Sequence, residues 1–145
     1  MEHTKDTWKR YNYLSSEISA LYHEAAVKLG LSDSTLNILY AVCENKGRCP
    51  QSEVCRLTGI SRQTINSAIR KLERDGVIVL EPGAGRNTIV CLTEAGEHVV
   101  AEKILPIIEA ENAIFSLWSD EERQEYLRLT QQYRDELKNW LDNLP

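Results

Sequence analysis

Apolar residues recur every three or four positions from Ser61 to Gly76 and then give way to two β-branched runs. In ISRQTINSAIRKLERDG, Ile65, Ala68, Ile69 and Leu72 follow the i, i+3, i+4, i+7 rule and make one stripe of a helix. Ser61 suits its N-cap, because a hydroxyl there accepts a backbone N–H that the first turn leaves without a partner. Gly76 ends the pattern. The preceding QSEVCRLTG predicts a shorter helix closing at Gly59, so a tight turn through Leu57-Thr58-Gly59-Ile60 joins the two. After Gly76 come Val77, Ile78 and Val79 and, beyond Pro82-Gly83-Ala84-Gly85, Thr88, Ile89 and Val90. Such residues favour paired strands, and the proline and glycines suit the turn between them. Helix, tight turn, helix and hairpin in this order make a winged helix-turn-helix.

The flanks predict long helices. Trp8, Tyr11, Leu14, Ile18, Leu21, Tyr22, Ala25 and Leu29 recur at three and four, and Gly30 stops them. Ser34 to Asn45 reads as a second helix, with Leu36, Leu39, Tyr40 and Cys43 apolar. Gly47-Arg48-Cys49 is a candidate short strand for the wing sheet, and Pro50 suits the opening of the next helix. Thr93 is a cap for a helix running to about Leu117, which Pro106 should kink. Ser119-Asp120-Glu121-Glu122 is a capping box for a last helix, whose seam is Tyr126, Leu127, Thr130, Tyr133, Leu137, Trp140, Leu141 and Leu144. The expected fold is mainly α, in the order α-α-β-α-α-β-β-α-α. It is read as one domain over 1–145, with a winged-helix core at 33–96 and helical regions at 1–30 and 97–145 that serve dimerisation.

The polar positions of the second helix supply the chemistry. At ~100° per residue, Gln63, Ser67, Arg70 and Arg74 fall opposite the apolar stripe, flanked by Asn66 and Lys71. Amides, hydroxyls and guanidinium groups on one face can pair with base edges and phosphates. Arg86 and Asn87 follow the hairpin tip, where a long cation can enter a narrow minor groove. A solvated amphipathic helix would carry the same polar face. The turn before it and the hairpin after it tip the balance toward DNA.

The run SEVCRLTGISRQTINSAIRKLERDGVI, followed by LTEAG, resembles the MarR family of bacterial transcription regulators. The resemblance implies that Ser61, Arg62, Gln63 and Thr64 begin the recognition helix, with Ile69, Leu72, Glu73 and Gly76 at the family's packing positions. The family's wing usually carries Asp-x-Arg before Leu-Thr. Here Arg86 stands at the arginine position before Leu92-Thr93, but Ala84 replaces the aspartate, Leu80 stands where a basic residue is common, and the wing is shortened. The resemblance further implies a homodimer built by the first and last helices, binding pseudo-palindromic operators as a ligand-responsive repressor. Its effector would be a small aromatic or lipophilic compound between the dimer helices and the reading head, for which Trp8, Tyr11, Tyr22 and Tyr40 are the candidate contacts.

Charge refines this picture. The chain of 145 residues is acidic, with 17 Lys plus Arg against 22 Asp plus Glu. From Pro50 to Thr93 the balance reverses: Arg56, Arg62, Arg70, Lys71, Arg74 and Arg86 face Glu53, Glu73, Asp75 and Glu81. An acidic body with a mildly basic head argues against indiscriminate coating of nucleic acid. The N-terminal MEHTKDTWKRYNYL lacks the apolar core of a secretory signal, and no apolar run approaches the ~20 residues of a membrane span, so the expected location is cytoplasmic.

Other chemistries find little support. Cys43, Cys49, Cys55 and Cys91 form no CxxC pair and read as structural thiols, Cys49 being the least constrained by the pattern. His3, His23 and His98 have no ligand spacing, so no metal or other cofactor is expected. No nucleophile motif or phosphate-cradling loop is present, so an enzyme is the poorest reading. The competing readings are a winged-helix protein-interaction module, since fold alone does not assign DNA binding, and a redox- or metal-switched variant of the regulator.

Overall fold

A computed structural model describes residues 2–145. Their contacts define two compact units, one ending at Leu105 and the other beginning at Pro106.

The first unit opens with α1 (Glu2–Leu29) and α2 (Asp33–Glu44). Gly30, at φ +72, takes the left-handed conformation that ends α1. Ser32 then accepts from the Thr35 amide and caps α2, which starts at Asp33, one residue before the start expected from the pattern. Strand β1 (Arg48–Pro50) leads into α3 (Gln51–Thr58) and α4 (Arg62–Arg74), followed by β2 (Ile78–Pro82) and β3 (Thr88–Leu92). The strands form one antiparallel sheet in the order β1-β3-β2, with Cys49 opposite Val90 and Leu80 also opposite Val90. Helix α5 (Glu94–Val99) and a π-helical turn (Val100–Ile104) follow. Element order and fold are those expected, a mainly helical winged helix with a three-stranded sheet.

Alternation along the strands decides what the sheet buries. Cys49, Ile78 and Val90 share one face and are enclosed with Ile38, Leu39 and Val42 of α2, Val54 of α3, Ile65 of α4 and Ile104 of the π turn. Ile69 and Leu72 complete the stripe of α4 in this core. Burying such side chains stabilises by roughly 1.5–3 kcal/mol each, so α4 is held on its apolar side and presents the other. Thr93 ties the second wing strand to α5: its hydroxyl accepts from Gly96 N and donates to Val77 O at 3.1 Å. Gly96 is required there, because a Cβ on it would lie 2.0 Å from the Val77 carbonyl oxygen. That contact is the physical reason for a glycine in LTEAG.

Two expectations are refined by the backbone. The strand before α3 is Arg48–Pro50, shifted by one residue, with Pro50 tolerated because β1 lies at the sheet edge. Pro106 does not act through a simple break. The preceding turn widens, with Leu105 N bonding to Val100 O, an i→i−5 spacing. A π turn makes room for a ring that would press on the carbonyl four residues back. Helix α1, by contrast, is exposed from residue 3 to residue 24, and Trp8, Tyr11, Leu14, Ile18 and Leu21 lie among its open positions.

The second unit contains α6 (Leu105–Ser116) from Pro106 onward and α7 (Asp120–Asp142). The expected capping box is formed: Ser119 and Glu122 each accept from the other's backbone N–H. Arg123 donates to the carbonyls of Phe115 and Trp118, closing the C-terminus of α6; Phe115 and Trp118 stack, and Tyr126 meets both rings edge-on. Tyr126, Leu127, Tyr133, Leu137, Trp140 and Leu141 remain 48–60% exposed along α7.

Candidate nucleic-acid interface

The turn between α3 and α4 fixes how the second helix is presented. Gly59 adopts φ +67 at the end of α3, and the Thr58 hydroxyl bonds to Val54 O and receives the Ile60 amide. Ser61 then caps α4, accepting from Thr64 N at 3.3 Å and donating to the Thr64 hydroxyl at 2.9 Å. Ser67 donates to the Gln63 carbonyl. Of the expected contact residues, Ser61, Thr64 and Ser67 are thus engaged within their own helix, although all three are exposed.

The cations on this helix have no such engagement. Among the described residues, the side chains of Arg62, Gln63, Arg70, Lys71 and Arg74 are exposed and make no hydrogen bond or ion pair. Arg86 is in the same state on the wing. Its loop is closed by Gly83 N to Asn87 O at 2.8 Å and by Asn87 N to Ala84 O at 3.2 Å, with Gly85 at φ +64. Other arginines nearby are occupied. Arg48 reaches Glu81 at 2.7 Å across β3, and Arg56 pairs with Glu53, holding that carboxyl below the usual range by a hydrogen bond. Six polar groups capable of contacting phosphates or bases are therefore left open on α4 and the wing tip.

Asn66 and Asn87 are placed differently from these. Asn66 is half-buried, and its Oδ1 accepts from Gln51 Nε2, while Gln51 Oε1 accepts from the Thr88 hydroxyl at 2.9 Å. Asn87 Nδ2 donates to the Ser52 hydroxyl at 3.2 Å. The first turn of α3 thus ties the wing base to α4. Gln51 and Ser52 were not singled out by the sequence. Their only signal was a polar pair opening a helix after Pro50, and their partners lie 15 to 37 positions away.

The four candidate effector contacts do not share one cavity. Trp8 and Tyr11 stack at 5.0 Å and line a hollow of about 470 Å³ with His3, Thr4 and Thr7. Tyr22 lines another of about 360 Å³ with Ser19, His23, Asp33, Leu36 and Asn37, where His23 Nδ1 meets Asp33 at 2.9 Å. Eleven helical positions between Tyr11 and Tyr22 amount to ~17 Å. Tyr40 is half-buried on α2.

The cysteines are ordered differently from the sequence expectation. Cys49 is fully buried on the inner sheet face, and Cys91 is buried on the opposite face between Arg48 and Val79 in the register. Cys43 and Cys55 are the half-buried pair. Burial pushes the thiols of Cys43, Cys49 and Cys91 up, keeping them protonated and poorly nucleophilic. Among the described residues no group of three or more His, Cys, Asp or Glu side chains is placed to hold a metal ion. No helix among them is long and apolar enough to cross a membrane.

The model of the MarR family matches residues 29–86, which span α2, α3, α4 and the wing as far as Arg86. The likeness to that family lies in the winged helix and covers less than half of the chain. The regulator NMB1585 from Neisseria meningitidis is similar in fold, with a TM-score of 0.79 at 17% identity over 95% of this chain and 99% of that one. Sco3205 from Streptomyces coelicolor, a MarR family transcriptional regulator solved in complex with DNA, has a TM-score of 0.72 at 17% identity, covering 90% and 86%. BpsR from Bordetella bronchiseptica, whose DNA binding is regulated by 6-hydroxynicotinic acid, has a TM-score of 0.62 at 18% identity, covering 86% and 91%. None of the curated proteins matches the chain by sequence. These solved structures share the fold of this chain, in which α4 is the second helix of the helix-turn-helix.

Proposed function

We propose that this chain is a sequence-specific, double-stranded-DNA-binding transcription regulator that acts as a homodimer. The observation that carries this reading is the set of unpaired cations on α4 and the wing tip, Arg62, Arg70, Lys71, Arg74 and Arg86. Guanidinium groups without an internal carboxylate suit bidentate pairing with phosphate or with guanine. The polar face of α4, with Gln63, Ser67 and Asn66 beside them, supplies base readout, and Ser61, Arg62 and Thr64 open the helix where it enters a major groove. Arg86 and Asn87 bring the wing to the flanking backbone.

Assembly follows from the helices outside the reading head. α1 and α7 each leave a long apolar stripe open, an extent of exposed apolar surface that marks an interface. An isologous dimer buries both stripes and presents two copies of α4 to a pseudo-palindromic operator. It also raises affinity, since a second head binds from a high effective concentration. The regulator is read as a repressor released by a small aromatic or lipophilic effector. BpsR and its aromatic acid support the chemical class, and the stacked Trp8–Tyr11 pair is the candidate contact on this chain.

The experiment is a fluorescence titration with duplex DNA from the protein's own upstream region and with a scrambled duplex, each at two salt concentrations. Tight binding to the first that weakens steeply with salt supports the proposal. Equal weak binding to both, or none, favours a winged helix that contacts protein instead.

A further inference from the structure

The hydrogen bonds at the base of the wing have a direction, and that direction sets what Asn66 can offer DNA. The Thr88 hydroxyl donates to Gln51 Oε1, and Gln51 Nε2 donates to Asn66 Oδ1. Asn66 Nδ2 has no partner among the described residues, and it is not fully buried, because no fully buried polar side-chain atom among them lacks a partner. An amide has two faces, one accepting and one donating. Here the accepting face is turned inward and used.

We propose that Gln51 is a positioning residue that fixes Asn66 as a donor, so that Asn66 selects a base presenting acceptors at the major-groove edge. This rests on the DNA-reading function proposed above. Guanine presents O6 and N7, both acceptors, whereas cytosine presents the N4 amino donor and adenine a mixed edge. A donor-only Asn66 therefore favours guanine, whose two acceptors exceed the single O4 of thymine, and disfavours cytosine. It lacks the free, paired donor and acceptor with which an asparagine grips adenine. The wing enters base selection without touching the base, since Thr88 on β3 orients Gln51 and Gln51 orients Asn66.

Two substitutions reverse the polarity by different routes. In Gln51→Glu the new carboxylate accepts from Thr88 but has nothing to donate. Asn66 must then turn its Nδ2 inward and its Oδ1 toward the groove. In Asn66→Asp the inward bond from Gln51 survives and the outward donor is replaced by an acceptor. Both add a negative charge that weakens binding to every sequence, so the readout is base preference at fixed occupancy and not affinity.

The experiment is selection of a randomised operator pool by the full-length wild type, Gln51→Glu, Gln51→Ala and Asn66→Asp proteins, after helical content and melting confirm that each is folded. The wild type is expected to prefer guanine at one position in each half-site, on the order of tenfold over cytosine. In Gln51→Glu and in Asn66→Asp that preference moves toward cytosine or adenine while the other positions hold. In Gln51→Ala it flattens. Unchanged preference at every position in Gln51→Glu and Asn66→Asp overturns the inference and leaves DNA reading intact. Should Gln51→Glu not fold, Asn66→Asp alone decides between the two. Failure of the wild type to enrich any sequence overturns the DNA-reading function itself, and this inference with it.

Discussion

Helices α4 and α7 carry the same cationic load and use it in opposite ways. Over Arg62–Arg74 the basic residues are Arg62, Arg70, Lys71 and Arg74, and over Asp120–Asp142 they are Arg123, Arg128, Arg134 and Lys138. On α7 each has a carboxylate partner within four positions: Asp120, Glu125, Asp135 and Asp142. On α4 none has one, because Glu73 is the helix's only acidic residue. Exposed pairs such as those on α7 add little stability, but they cancel the local field. Arginine content alone therefore does not separate the two helices, whereas the presence or absence of a carboxylate partner does. The net charge of −5 therefore does not describe α4, which carries four basic residues and one acidic one.

The largest effect is expected where α7 is asked to do what α4 does not, which is to hold two copies together. Leu137 and Trp140 are 48% and 60% exposed, so replacing both with aspartate should leave each copy folded. A Leu137→Asp/Trp140→Asp protein is expected to be a monomer by light scattering and to lose operator affinity by about a hundredfold or more, since one head binds without the other's help. A dimer with unaltered mass would assign assembly to another surface and reduce α7 to a solvated helix.

On α4 the expected effect is smaller and specific. Arg70→Ala and Gln63→Ala each remove an exposed side chain that makes no hydrogen bond or ion pair among the described residues, so stability should hold. A lost base contact should cost about 1–3 kcal/mol in operator binding, and a lost phosphate contact should weaken all sequences alike. Unchanged affinity in both at matched salt would remove this face from the interface, and the contrast with α7 would lose its meaning.

How much of this was legible in the sequence follows the range of each interaction. The α4 stripe, the Ser61 and Ser119 caps and the glycine stops are local, and each stands where the pattern put it. The unpaired state of Arg74 was nearly legible, because no carboxylate stands three or four positions from it, whereas that of Arg70 was not, since Glu73 lies at i+3. The Gln51–Asn66–Thr88 chain was not, since its members meet only after the wing folds back on α3. Cys49 shows the same limit. As one residue of a short strand it carries no periodicity, yet the register with Val90 puts it in the core. The turn before Pro106 was half legible: the missing donor can be read from the sequence, but the π turn that precedes it cannot.

The finest test compares one arginine from each region. Arg86 is exposed on the wing tip without a partner, and Ala84, where the family usually has an aspartate, leaves it free to swing. Arg128 is equally exposed but bonded to Glu125, whose carboxyl it holds below the usual range. If Arg86 neutralises a phosphate, its removal releases one fewer counterion on binding, and the slope of log affinity against log salt should fall by about 0.9. Arg128→Ala removes the same charge from the chain but none from the DNA surface, and so should leave that slope alone. Net charge is thereby matched between the two variants, and only position differs. Binding of wild type, Arg86→Ala and Arg128→Ala to one operator duplex across a salt series separates the cases. Parallel lines for all three would mean that the shortened wing does not touch DNA and that the reading head is α4 alone. A slope reduced equally in both variants would mean that affinity follows the field of the whole chain, and the distinction between free and paired arginines would fail at its smallest scale.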